Sequence, residues 1–232
     1  LVPTQTLVKF HWEQWYKIIS NANTIISRIN DSEIPEDGKK LILAEAKFFR
    51  AFAYRYLVHL YGGVPLILDE VTSPSTNYTR ATKEEVLNQI ILDATEAANS
   101  LPAINEVADG KVSNIVAQHL LAEIYISLNQ LDKAIAAATA VIDDPETQLM
   151  TDRFGSRANE DPYDKFLKFT QPGDPYWDLF QAGNQNRGSG NREALWVAQM
   201  ETDVVGGLLT SSGRDGNVLE RYAAPIGWSL ND

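Results

Sequence analysis

One stretch of this 232-residue chain gathers aromatic rings and planar polar groups. Tyr176-Trp177-Asp178 is followed closely by Asn184-Gln185-Asn186-Arg187. A pyranose presents apolar C–H faces ringed by hydroxyls, so a site for it pairs a flat aromatic with amides, carboxylates and guanidinium groups. On that chemistry Tyr176, Trp177, Asp178, Asn184, Asn186 and Arg187 are candidate ligand-binding residues, and Trp228 is a further aromatic of the same kind. The competing use of such aromatics is to anchor a loop to the core, and the spacing leaves both uses open.

Carboxylates crowd the same region: Glu160-Asp161, Asp164, Asp174 and Asp178. Glycoside cleavage needs two carboxyls across a bond, one with a raised pKa, and nearness in sequence does not provide that. No catalytic residue is therefore assigned, with a loop-built glycosidase using Asp174 and Asp178 kept as an alternative. His11, His59 and His119 lack metal-ligand spacing, and Gly188-Ser189-Gly190 lacks the strand-turn-helix setting of a nucleophile elbow. Asp143-Asp144 and the acidic run 161–164 do not match a calcium loop. There is no cysteine, so thiol chemistry and disulfides are excluded, and neither metal nor cofactor is expected. A net charge of -11 argues against nucleic acid, whose phosphates demand a cationic face. No apolar run approaches the roughly 20 residues of a membrane span.

The elements that must position these groups are mostly helices. Trp12, Trp15, Tyr16, Ile19, Ala22, Ile26 and Ile29 fall on one helical face. A second helix runs from about Lys39 to Tyr61 and is apolar around most of its circumference, so it must be covered on several sides. Within it, charged Glu45 and Arg50 are expected to be paired structurally. Gly62, Gly63 and Pro65 stop it, and Ser73 to Arg80 reads as a loop. Thr82-Lys83-Glu84-Glu85 is a capping box opening a third helix that Leu101-Pro102 ends. A fourth helix starts after Ser113, and a fifth runs from beyond Asn129-Gln130 toward Pro145.

Leu121, Ala122, Tyr125 and Ala134 match the close-approach positions of a tetratricopeptide repeat, and 43–61 with 83–100 forms another pair interrupted by a loop. The expected fold is mainly α, built of tetratricopeptide-like antiparallel helix pairs over 1–149. Residues 150–232 form a loop-rich C-terminal segment, with a short strand from Leu195 to Met200. A peptide-docking scaffold is the alternative function for such an array, with Gln118, His119 and Asn129 as its candidate contacts.

The run Glu45-Ala46-Lys47-Phe48-Phe49-Arg50-Ala51-Phe52-Ala53-Tyr54, continuing through Tyr61-Gly62-Gly63-Val64-Pro65-Leu66, resembles the SusD/RagB family. The ordered match extends from Trp15-Tyr16 and Asn23 through Arg80, Glu85-Val86, Asp93 and Leu101-Pro102 to Glu193-Ala194-Leu195-Trp196. The resemblance implies a non-catalytic surface lipoprotein of the bacterial outer membrane that binds a glycan or another nutrient. It also implies delivery to a SusC-like, TonB-dependent transporter, with the helices contributing to the docking face. Family members are longer, so the lipid-anchored N-terminus and the later part of the fold are expected to lie outside this sequence, and 150–232 to be an incomplete segment of the same fold.

Overall fold

The computed structural model describes residues 6–161, 163–164, 169–170 and 172–199. Five long helices follow in order: α1 Thr6–Arg28, α2 Glu36–Tyr61, α3 Lys83–Ser100, α4 Asn114–Ser127 and α5 Leu131–Ile142. Each packs on its predecessor, and α2 also touches α4. The helix pairs expected from the repeat spacing are present as α2/α3 and α4/α5. The second pair closes through a tight turn in which Asn129 takes a positive φ of 54°, a conformation asparagine tolerates better than most residues.

Helix α2 occupies the centre, and its composition dictates that place. Ala44, Phe48, Ala51, Ala53, Tyr54, Leu57 and Val58 are all buried. They meet Ile19 of α1, Val86, Leu87, Ile90 and Ala94 of α3, and Leu120, Leu121 and Ile124 of α4 in one core. Removing a large aliphatic or aromatic side chain from water stabilises by roughly 1.5–3 kcal/mol, so this layer dominates the fold. At the helix end Gly62 adopts φ 73° and its N–H bonds Val58 O at 3.1 Å. That left-handed stop frees the chain to turn back along α2. Helix α3 opens with the expected capping box: the Thr82 hydroxyl accepts from Glu85 N–H, and the Glu85 carboxylate accepts from Thr82 N–H at 2.7 Å. The Thr82 N–H and the Thr82 hydroxyl, both donating to that carboxylate, hold it below the usual carboxylate range.

A polar hub crosses this core. Arg50 donates to both oxygens of Asp93, at 2.8 and 2.7 Å, and to Asn23 Oδ1 and Leu68 O, both at 2.9 Å. Asn23 donates in turn to Ile67 O and Asp69 O at 3.0 and 3.2 Å. The Tyr54 hydroxyl donates to Ile67 O and accepts Ile67 N–H, and Tyr16 donates to Pro65 O at 2.7 Å. The extended segment after Gly63 thus finds its backbone partners in side chains of α1 and α2. Burial pushes the Tyr54 hydroxyl up to about 12 and raises that of Tyr16 as well. Arg50 accordingly has the structural pairing expected of it, whereas Glu45 sits nearer the surface, 3.4 Å from Lys111.

Beyond α5 regular structure is sparse. A two-residue antiparallel pair joins β1 Tyr163–Asp164 to β2 Phe169–Thr170, and a short helix α6 spans Pro175–Leu179. The strand expected at Leu195–Met200 is corrected: residues 195–199 form no ladder, and Met200 lies outside the described residues. Leu195 and Trp196 instead pack on the helical core, and the Trp196 indole N–H donates to Gly110 O at 3.0 Å. Adjacent apolar residues both turned to the core leave no alternation for a strand to use, and no neighbouring strand is present among the described residues.

Candidate functional site

The predicted ligand residues fall into a buried set and a displayed set. Asp174 caps α6, its Oδ1 accepting Trp177 N–H at 2.7 Å. Four residues later Asp178 is fully buried: it accepts from Arg153 at 2.7 and 3.1 Å and from Phe154 N–H at 3.0 Å. The hydrogen bonds from Arg153 hold the Asp178 carboxyl below the usual carboxylate range. Asn184 is also fully buried, donating to Asp178 O and Phe154 O while accepting Ser156 N–H at 3.2 Å. Asn191 continues the network by donating to Asn184 O at 3.0 Å. Gly155 lies so close that a Cβ there would stand 2.0 Å from Asn184 Oδ1, at a φ of 76° that already disfavours a side chain.

Arg187 is likewise engaged with the backbone, donating to Glu146 O at 2.6 Å and, at 3.4 Å, to Arg192 O and Ala194 O. Asn186 exchanges two hydrogen bonds with Gln199, at 3.1 and 2.8 Å. Trp177 is half-buried, with the guanidinium groups of Arg157 and Arg153 lying 4.8 and 5.3 Å from its ring centre. Tyr176 points outward at 70% exposure and meets Phe180, 71% exposed, with ring centres 5.1 Å apart. Trp228 lies outside the described residues. The structure therefore joins Asp178 and Asn184 in one internal hub and leaves Tyr176 outside it, beside a ring that the sequence pattern had not singled out. The i, i+4 spacing of Tyr176 and Phe180 on a helix was the available signal.

The glycosidase alternative required Asp174 and Asp178 to face an open cleft, one of them with a raised pKa. Asp174 is a helix cap and Asp178 is buried with a lowered pKa, the opposite of a general acid. Of the peptide-scaffold candidates, Asn129 serves the α4/α5 turn, where its N–H bonds Ile126 O at 2.9 Å.

A concave feature lies between α2, α4 and the 193–196 segment. This groove of about 390 Å³ is floored by Phe48, Phe52 and Trp196 and edged by Arg55, His119 and Glu123. Along its α2 wall Trp15 stacks on Tyr56 with ring centres 4.3 Å apart and planes at 6°. Arg55 lies 4.6 Å from the Tyr56 ring centre and forms a two-point ion pair with Glu123 of α4. Three segments far apart in sequence build this groove, so no local motif announces it.

A tetratricopeptide-like array of helix pairs is packed around one central helix that is apolar around most of its circumference, and among the described residues no helix is long and apolar enough to cross a bilayer. Residues 2–141 match the family model described as starch-binding associating with outer membrane, and the chain belongs to this SusD-like family. It is 31% identical over 155 residues to SusD-like protein P38 of Formosa agariphila, covering 66% of this chain and 30% of that protein. A SusD-like protein of Bacteroides ovatus is 26% identical over 249 residues, covering 91% of this chain and 40% of its own length. The chain thus spans less than half the length of these relatives. Among solved structures, a SusD-like carbohydrate binding protein of Bacteroides fragilis shares the fold with a TM-score of 0.71 at 21% identity, covering 87% of this chain and 35% of that one. A laminarin binding SusD-like protein is 27% identical with a TM-score of 0.56, covering 62% and 33%.

Proposed function

We propose that this chain is part of a non-catalytic glycan-binding protein of the bacterial outer surface, which hands its ligand to a SusC-like, TonB-dependent transporter. The observation that carries the reading is the family match across α1 to α5. The similarity to a laminarin binding protein supports a saccharide as ligand. The helices, 1–149, form the scaffold and docking part, and 150–232 the part that displays ligand-binding side chains. Within that second part Tyr176 and Trp177, with Asn186 nearby, are the contacts offered to a sugar. Asp178, Asn184 and Arg187 hold the loop that presents them. Attachment to the membrane is through an N-terminal lipid rather than a span.

The test uses the protein at its natural length. Isothermal titration against a panel of oligosaccharides is expected to give micromolar binding, with the sugar recovered uncleaved. A native pull-down from outer membranes is expected to bring down a large β-barrel. Turnover of a bound sugar, or the lack of both sugar and barrel, would overturn the proposal.

A further inference from the structure

The geometry points to the groove between α2, α4 and residues 193–196 as a second saccharide-binding site, separate from the Tyr176 display. The inference rests on the glycan-binding reading above and assigns it a further place in the molecule. Three observations converge on it.

The first is shape. At about 390 Å³ the groove falls within the roughly 300–1,000 Å³ range of small-ligand sites. It is floored by aromatic carbon, which water hydrates poorly and the C–H face of a pyranose covers well.

The second is the chemistry of the rim. Arg55 and His119 offer donors, and the Glu123 carboxylate offers acceptor lone pairs beyond those used by Arg55. Sugar hydroxyls both donate and accept, so a rim of mixed polarity suits them better than it suits a purely apolar partner. Among the described residues the exposed His119 imidazole forms no hydrogen bond and stands ready for a ligand.

The third is rigidity. Trp196 is fixed by its N–H bond to Gly110 O and stands at 84° and 89° to the rings of Phe48 and Phe52. The Trp15–Tyr56–Arg55–Glu123 series braces the wall from α1 across α2 to α4. A wall held in place before binding loses little entropy when a ligand enters. The Tyr176 and Phe180 rings, by contrast, are exposed on a five-residue helix and its C-cap.

The test combines titration with a resonance that reports from the groove itself. The His119 ring signals are assigned by comparison with spectra of a His119→Ala variant. Titrating laminari-oligosaccharides and xylogluco-oligosaccharides into the protein at its natural length is expected to shift the His119 ring signals. His119→Ala and Glu123→Gln are each expected to weaken binding by about tenfold, as for loss of a hydrogen bond to a charged or strongly polar group. His119 is exposed and Glu123 half-buried, Gln at 123 keeps the shape of the side chain that meets Arg55, and unchanged circular-dichroism melts would confirm the fold. If the wild type binds saccharide while His119 stays still and both variants bind equally well, the groove assignment falls and the glycan-binding function stands. If the wild type binds no saccharide at all, both readings fall together. If the variants keep sugar affinity but lose the barrel in a pull-down, the groove is a protein-docking surface and the assignment is overturned.

Discussion

Two arginine–carboxylate hubs organise this molecule, and they do different work. Around Arg50 and Asp93 the hub lies inside an apolar core and pins an extended backbone segment to the helices. Around Arg153 and Asp178 there is little core to lie within: beyond Ala137, Phe154 is the one buried apolar residue among the described residues. There the hydrogen bonds of Asp178, Asn184 and Asn191 take the place of buried area. The first region is stabilised mainly by removal of apolar surface from water, the second mainly by satisfying backbone groups that have no helix or sheet to join.

The strongest way to break that contrast is Arg50→Ala. It strands the Asp93 carboxylate in the core, and the expected loss is about 3–5 kcal/mol, read as a lower midpoint in chemical denaturation of the whole chain. The conservative Arg50→Lys should recover only part, because an ammonium cannot make the two parallel bonds to Asp93.

In the looped region Asn184→Ala removes donors and an acceptor from three backbone groups and should cost about 1–3 kcal/mol. The loss should be local. Hydrogen exchange is expected to accelerate across 153–191 while α2 to α4 stay protected; uniform acceleration would mean that the two regions unfold as one.

Acid should act on the Asp178 hub as well. The folded pKa of Asp178 is lowered by the Arg153 hydrogen bonds, so its contribution is present above the unfolded value of about 3.9 and is lost as pH falls through the folded value. Protection of 153–191 is therefore expected to weaken below about pH 4, and Asp178→Asn should flatten that dependence.

A smaller effect is expected at the α3 cap, where Thr82→Ala should cost about 1 kcal/mol by thermal melt. The smallest is Tyr176→Ala. Its exposed ring should leave stability within about 0.5 kcal/mol, while saccharide affinity falls if the displayed aromatics touch ligand.

Much of the helical half was legible in order. Apolar periodicity marked α1 to α5, Thr82 and Glu85 marked a helix start that the structure confirms to the residue, and Arg50 on a nearly all-apolar helix announced a buried partner. The partner itself, Asp93, lies 43 positions away, and no local pattern connects them. The looped region was legible only as chemistry. Tyr176, Trp177, Asp178 and Asn184 have the right groups for a sugar, yet Asp178 and Asn184 spend all that polarity inside the protein. Composition reports which groups are present, not which way they face.

The sequence alone carried helix identity, the caps and turns, and the family resemblance, because these depend on residues within a few positions of one another or on an ordered run of them. The tertiary structure decided which polar groups are consumed and which are offered. A buried carboxylate cannot remain in a low-dielectric interior without its partners, and those partners arrive from distant segments only when the chain folds. Asp178, read first as a ligand contact, became a bracket for its loop by that rule, and His119, read first as a histidine without metal-ligand spacing and as a candidate peptide contact, came to stand at the edge of a groove.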